Sequence, residues 1–164
     1  MPIRAHALSA VLPLLALAPA AGAQDLPAKP QLTLEAGRRI AAAAQAHART
    51  AGLRVVVAVL DDGGHPILVE RMDGTQTASV EIAIAKARSA AGFRRPTREM
   101  AGWIAGGETA LLALPGLLPV EGGVPLLWNG QVVGALGVSG ATAEQDGAVA
   151  REGAAALAPG RAAR

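Results

Sequence analysis

The stretch LRVVVAVLDDGGHPILVER, residues 53–71, decides the fold. Leu53 to Leu60 is a valine-rich apolar run and reads as a largely buried strand. Asp61-Asp62-Gly63-Gly64 is a turn, and His65 to Arg71 returns as a second strand, so the segment predicts an antiparallel hairpin. A second hairpin stands further along. Leu126-Leu127-Trp128 is followed by Asn129-Gly130 and then by Gln131 to Val138. Asn-Gly favours the type I′ turn, which needs positive φ at both central residues.

Helical patterns fill the space around these hairpins. Thr33 is the expected N-cap of a first helix, in which Gly37, Ile40, Ala41, Ala44 and His47 share one stripe. That helix is expected to stop near Gly52. Met72-Asp73-Gly74 turns the chain into a helix from Ala78 to Ala91, with Ile82 and Ile84 apolar and Glu81, Lys86 and Arg88 charged. Pro96 ends that region. Thr97 is expected to cap a short helix carrying Met100, Trp103 and Ile104. Gly106-Gly107 breaks it, and Glu108 to Leu114 forms another short helical piece. Pro115 to Pro125 reads as loop. Thr142 and Gln145 match a capping box for a last helix running to Leu157. The order helix, hairpin, helices, hairpin, helix predicts an α+β domain, an antiparallel sheet covered by helices, and not a doubly wound parallel sheet.

The N-terminus has a different character. Arg4 and His6 precede an apolar run from Ala7 to Ala18, and Ala21-Gly22-Ala23 supplies an A-x-A site. This order predicts a cleavable signal peptide over residues 1–23, cut after Ala23, and hence a periplasmic or secreted protein. The run is shorter than the roughly 20 residues of a spanning helix, so no membrane span is expected after cleavage. Residues 24–31 read as an extended lead-in, 32–158 as the folded domain and 159–164 as a loose tail.

Composition narrows the function classes. Hydrophobic residues make up 51% of the 164, which argues against disorder. Aromatics are only 2%, so base stacking has few platforms and no nucleic-acid partner is expected. Formal charge is +2 and falls to about +1 without Arg4. Cysteine is absent, which excludes disulfides, a Cys nucleophile, thiolate ligands and covalent C-x-x-C-H haem attachment. His47 and His65 have no metal-ligand spacing, so no metal site is expected. Neither a Rossmann nor a P-loop glycine motif occurs, and H-E-x-x-H and G-x-S-x-G are also missing.

Three longer pieces are more specific. The first is Asp61-Asp62-Gly63-Gly64-His65 with Glu70-Arg71-Met72-Asp73-Gly74. The second is Leu114-Pro115-Gly116 with Pro119-Val120-Glu121-Gly122-Gly123-Val124-Pro125. The third is Gly134-Ala135-Leu136-Gly137-Val138-Ser139-Gly140 with Glu144-Gln145-Asp146. In this order and spacing they resemble the GlcG/HbpS family, which also includes the C-terminal domain of PduO-type corrinoid adenosyltransferases. The likeness runs from about Leu32 to Leu157. It implies a sheet of about five strands flanked by helices, a tendency to form homo-oligomers, and non-covalent haem binding. Four strands are legible in the residues; the fifth is expected near Pro119 to Gly123.

Two constellations follow. Haem iron takes His, Met, Cys or Tyr as axial ligand, and Cys and Tyr do not occur in this chain. His47, on the apolar stripe, is the first candidate, against the alternative of a helix-edge histidine partly in solvent. His65 reads as exposed, Met72 and Met100 as core fillers, and Thr109 as a weak hydroxyl alternative. Arg94, Arg95 and Arg98 are a candidate propionate clamp, against a plainly solvated helix end. In the second constellation Arg71 and Asp73 meet Glu121-Gly122-Gly123 at one end of the sheet, with Lys86 joining them. Arg71 and backbone amides would hold a small organic acid such as a 2-hydroxy acid, and Glu121 would act as base. The alternative is an ion pair that only fixes the loops. A haem-binding protein is the first expectation, a small-acid enzyme or binding protein the second, and a corrinoid-related role the third. Binding is favoured over catalysis.

Overall fold

A computed structural model describes residues 28–157. The expected signal peptide, part of the lead-in and the tail lie outside the described residues. The elements are α1 (Leu34–Thr50), β1 (Val56–Asp61), β2 (Pro66–Arg71), α2 (Ser79–Phe93), α3 (Thr97–Ala105), a 3-10 turn (Thr109–Ala113), β3 (Gly123–Trp128), β4 (Gln131–Ser139) and α4 (Ala143–Ala155).

The two hairpins join through their inner strands, giving the order β2-β1-β4-β3 with every pair antiparallel. Strand alternation then divides the core in two. Val55, Val57, Val59, Leu136 and Val138 face α1 and α4, together with Ile40, Ala44 and Val149. Val56, Ala58, Leu60 and Ala135 face Ala83, Ala87 and Ala90 of α2. Both faces of β1 are buried, which is why its sequence is a continuous apolar run and does not alternate.

Alanine and glycine let the layers approach closely. A Cβ on Gly137 would overlap the Ala83 carbonyl, and one on Gly153 would press into Leu136 and Ala44. The caps hold as expected. The Thr33 hydroxyl accepts from the Ala36 N–H, and Thr142 with Gln145 forms a reciprocal capping box. Asn129 and Gly130 have φ of 49° and 77°, as a type I′ turn requires.

The antiparallel sheet flanked by helices is as expected, and two local details differ. The sheet has four strands among the described residues. Residues 119–122 lead directly into β3 without forming a strand of their own, and the Gly122 carbonyl accepts from the Val138 N–H. Thr97 is the first residue of α3 and not its cap. Its buried hydroxyl accepts from the Gly123 N–H at 2.9 Å and donates to the Gly123 carbonyl at 3.3 Å. The backbone beginning an edge strand outcompetes the helix terminus for that oxygen.

Candidate functional site

Two adjoining clefts lie at the end of the sheet where β1 starts. The last turn of α1 and the last residues of β2 border an open cleft of about 750 Å³, lined by Arg49, Leu53, Arg54, Arg71, Met72 and Asp73, among others. Gln45 and Glu70 form its wall: Arg49 donates to the Gln45 amide oxygen at 2.8 Å, and the Gln45 amide donates to Glu70. Gly52, Leu53 and Arg54 are shared with a neighbouring cleft of about 620 Å³ that runs past Thr75 to Gly140, Thr142 and Gln145. Arg54 therefore stands between the two.

At the same end, near the opposite edge, lies a buried polar cluster. Lys86 extends from α2 beyond the start of β3, where Gly122 and Gly123 leave room. Its ammonium donates to the Val138 carbonyl at 3.0 Å and to Asp146 at 2.8 Å. The other Asp146 oxygen accepts from the Ala141 N–H at 3.0 Å. Burial raises the Asp146 carboxyl above the usual range, and the Lys86 hydrogen bond and charge pull against that.

This arrangement separates residues that the sequence reading grouped. Arg71 and Asp73 line one cleft. Glu121, Gly122 and Gly123 are at the same end of the sheet, but β1 and β4 intervene, a gap of about 14 Å at ~4.8 Å per strand. Glu121 is instead paired with Arg151 at 2.7 Å, and Lys86 sits with Gly122 and Asp146. The acid site built on Arg71 plus Glu121 does not form within the chain, because the hairpins join by their inner strands and place these residues on opposite edges.

The haem constellation is divided as well. His47 is half-buried near the end of α1 and makes no side-chain hydrogen bond among the described residues. At about 100° per residue it lies roughly 160° around the helix from Gln45 and Arg49, so it faces away from the arginine-lined cleft. Arg94, Arg95 and Arg98 stand beyond α2, which packs on the opposite face of the sheet from α1. Arg94 lines a cleft with Asp62, Leu127 and Gly130. Arg95 pairs with Glu99 at 3.7 Å and lies 5.3 Å from the centre of the Trp103 ring. One haem in one chain cannot touch both His47 and these arginines.

The remaining donors are readily placed. The His65 side chain is 81% exposed, with Nδ1 3.4 Å from Asp61. Met100 is buried, whereas Met72 is half-buried and lines the arginine cleft. Among the described residues no cluster of acidic or histidine side chains has metal-binding geometry, and no helix is long and apolar enough to cross a membrane. Among the described residues neither His47 nor Met72 is committed to a polar side-chain partner, so both are free to serve as axial donors if a haem is bound. Arg49, Arg54 and Asp146 were overlooked in the sequence. Arg54 was legible as the one charge interrupting the valine run.

Fold and surface together define a small α+β domain with helices on both sheet faces and ligand-sized clefts at the sheet ends. The family model described as haem degrading protein HbpS-like matches residues 32–155, and the chain belongs to that family. It is 41% identical over 108 residues to protein GlcG of Escherichia coli K12, covering 66% of this chain and 81% of GlcG. A double mutant of Streptomyces reticuli HbpS superposes with a TM-score of 0.75 at 38% identity, over 88% of this chain and 99% of that one. A structure described as a PduOC:heme complex superposes with a TM-score of 0.69 at 28% identity, over 77% and 95%.

Proposed function

We propose that this protein is an exported, non-covalent haem-binding protein. The observation that carries the reading is its likeness, across nearly the whole described domain, to HbpS and to a domain solved as a haem complex. The chain's own residues are compatible with it. Haem bound without a covalent link needs one axial donor and apolar surface, and His47 offers an unengaged, half-buried imidazole beside the apolar stripe of α1. The propionates are not served by Arg94, Arg95 or Arg98 of the same chain. Export rests on residues 1–23, and the homo-oligomer on the family resemblance.

The test is an absorbance titration of residues 24–164 with haemin, beside His47→Ala and Met72→Ala. A saturating Soret band that weakens in His47→Ala supports both binding and ligand. An unchanged titration in His47→Ala rejects His47, and loss in Met72→Ala transfers the role to the thioether. A flat response in the wild-type protein removes the haem reading. Export is checked by the mass of the mature protein, which is expected to begin at Gln24.

A further inference from the structure

We propose that the cleft between the end of α1 and the end of β2 is a carboxylate-binding site, with Arg54 and Arg71 as its principal donors and Arg49 beside them. The site does not depend on haem binding by the protein.

The first support is the distribution of charge. Elsewhere in the described chain Arg39, Arg95, Arg151, Lys29 and Lys86 each have an acidic partner. Arg49, Arg54 and Arg71 have no ion pair among the described residues, yet all three line one cleft. Two acidic side chains, Glu70 and Asp73, stand there against three guanidiniums, so the cleft keeps an excess of positive charge, and Glu70 also accepts from the Gln45 amide. Arg38, Arg88, Arg94 and Arg98 also lack an ion pair among the described residues, but none of them lines this cleft, so three unpaired guanidiniums along one cleft mark a place where counter-charge can come from outside. Guanidinium matches a carboxylate in a two-point fork and stays charged at any working pH.

The second support is the way Arg54 is held. It lies just before β1 between Leu53, whose N–H donates to the Ala48 carbonyl, and Val55, whose carbonyl accepts from the Met72 N–H. Its side chain lies against Gly74, where an added Cβ would come within 2.9 Å of Nη1, and Gly74 has φ of 76°. Residue 74 is thus suited to glycine both by backbone conformation and by the room Arg54 needs. The third support lies on the other side of Arg54. Thr75 is 8% exposed, and among the described residues its hydroxyl is the buried side-chain polar atom with no hydrogen-bond partner. Buried polar groups are normally satisfied, and Thr75 lines the cleft that Arg54 shares.

Two sources offer the same chemistry: a small free organic acid, or the propionates of haem. Melting of residues 24–164 is read in lactate, succinate and sodium chloride at matched ionic strength. The expected result is a rise over chloride on the order of 5–10 °C at acid concentrations ~100 times Kd. Arg54→Gln/Arg71→Gln abolishes the rise while melting in chloride is unchanged. Should that pair fail to fold, Arg54→Lys alone keeps the charge, loses the fork, and is expected to weaken binding about tenfold. Haemin is titrated in parallel. Haemin affinity lost in the arginine variant, with no response to either acid, assigns the site to propionates. An acid response beside a flat haemin titration removes the haem reading and leaves this site standing. No acid response together with an unchanged haemin titration in the arginine variants overturns the site.

Discussion

Lys86 of α2 and Asp146 of α4 form a 2.8 Å ion pair between helices on opposite faces of the sheet, with side chains only 2% and 3% exposed. The pair is a bolt past the start of β3, and the Val138 carbonyl and Ala141 amide complete its hydrogen bonding. Removing one partner from such a pair leaves a buried charge unmatched and costs about 3–5 kcal/mol. Asp146→Asn and Lys86→Met are each expected to lower stability by that order in urea unfolding. Lys86→Met/Asp146→Leu is expected to lose less than the sum of the single changes. A strictly additive double variant would show that the two groups do not sense each other.

Close backbone approach gives the next prediction. α2 lies so near β4 that a methyl at residue 137 would overlap the Ala83 carbonyl and crowd the Ala87 amide. Gly137→Ala is therefore expected to destabilise by about 1–3 kcal/mol or more through overpacking. Gly92→Ala, where an added Cβ meets nothing within 4 Å, is the control and should be near neutral or slightly stabilising. Equal melting temperatures for the two variants would contradict the packing described.

Acid stability should register Asp61. The His65 amide donates to its carboxylate at 2.8 Å, and this bond, aided by the His65 side chain, holds Asp61 below the usual carboxylate range. A lowered folded pKa means the native state binds the proton less readily than the unfolded chain. The stability contributed is present above the unfolded value of ~3.9 and is lost as pH falls through the folded one. Asp61→Asn is expected to flatten the dependence of the urea midpoint on pH below about pH 4. An unaltered slope would mean that the turn does not sense the charge.

The capping box at α4 supplies a local test. Thr142 accepts from the Gln145 N–H at 3.3 Å, and the Gln145 side chain returns to the Thr142 N–H at 3.1 Å. Thr142→Ala is expected to cost about 1 kcal/mol, with an unchanged urea m-value. Thr142→Ser should recover most of it.

The hairpins, the caps and the helical faces were legible because each is written in neighbouring residues: valine runs, an Asn-Gly turn, a Thr-x-x-Gln box. Which strands would pair was not, because the β1–β4 contact joins residues far apart in sequence and no local pattern records it. That single contact decides the candidate site. It puts Arg71 and Glu121 on opposite edges, whereas Arg54 comes near Arg71 through the local β1–β2 hairpin. Thr97 shows the same limit in miniature. A threonine after a proline suggests a cap, but its true partner is Gly123, 26 positions away.

Pro66 opens edge strand β2, and Pro125 sits within edge strand β3. A proline in an edge strand turns its missing N–H outward, which leaves the inner ladder whole and removes a rung from the margin. Both margins of the sheet are in this way discouraged from recruiting a stranger's strand. Any assembly of copies is then steered toward side-chain contact and away from the continuous backbone pairing that leads to fibres.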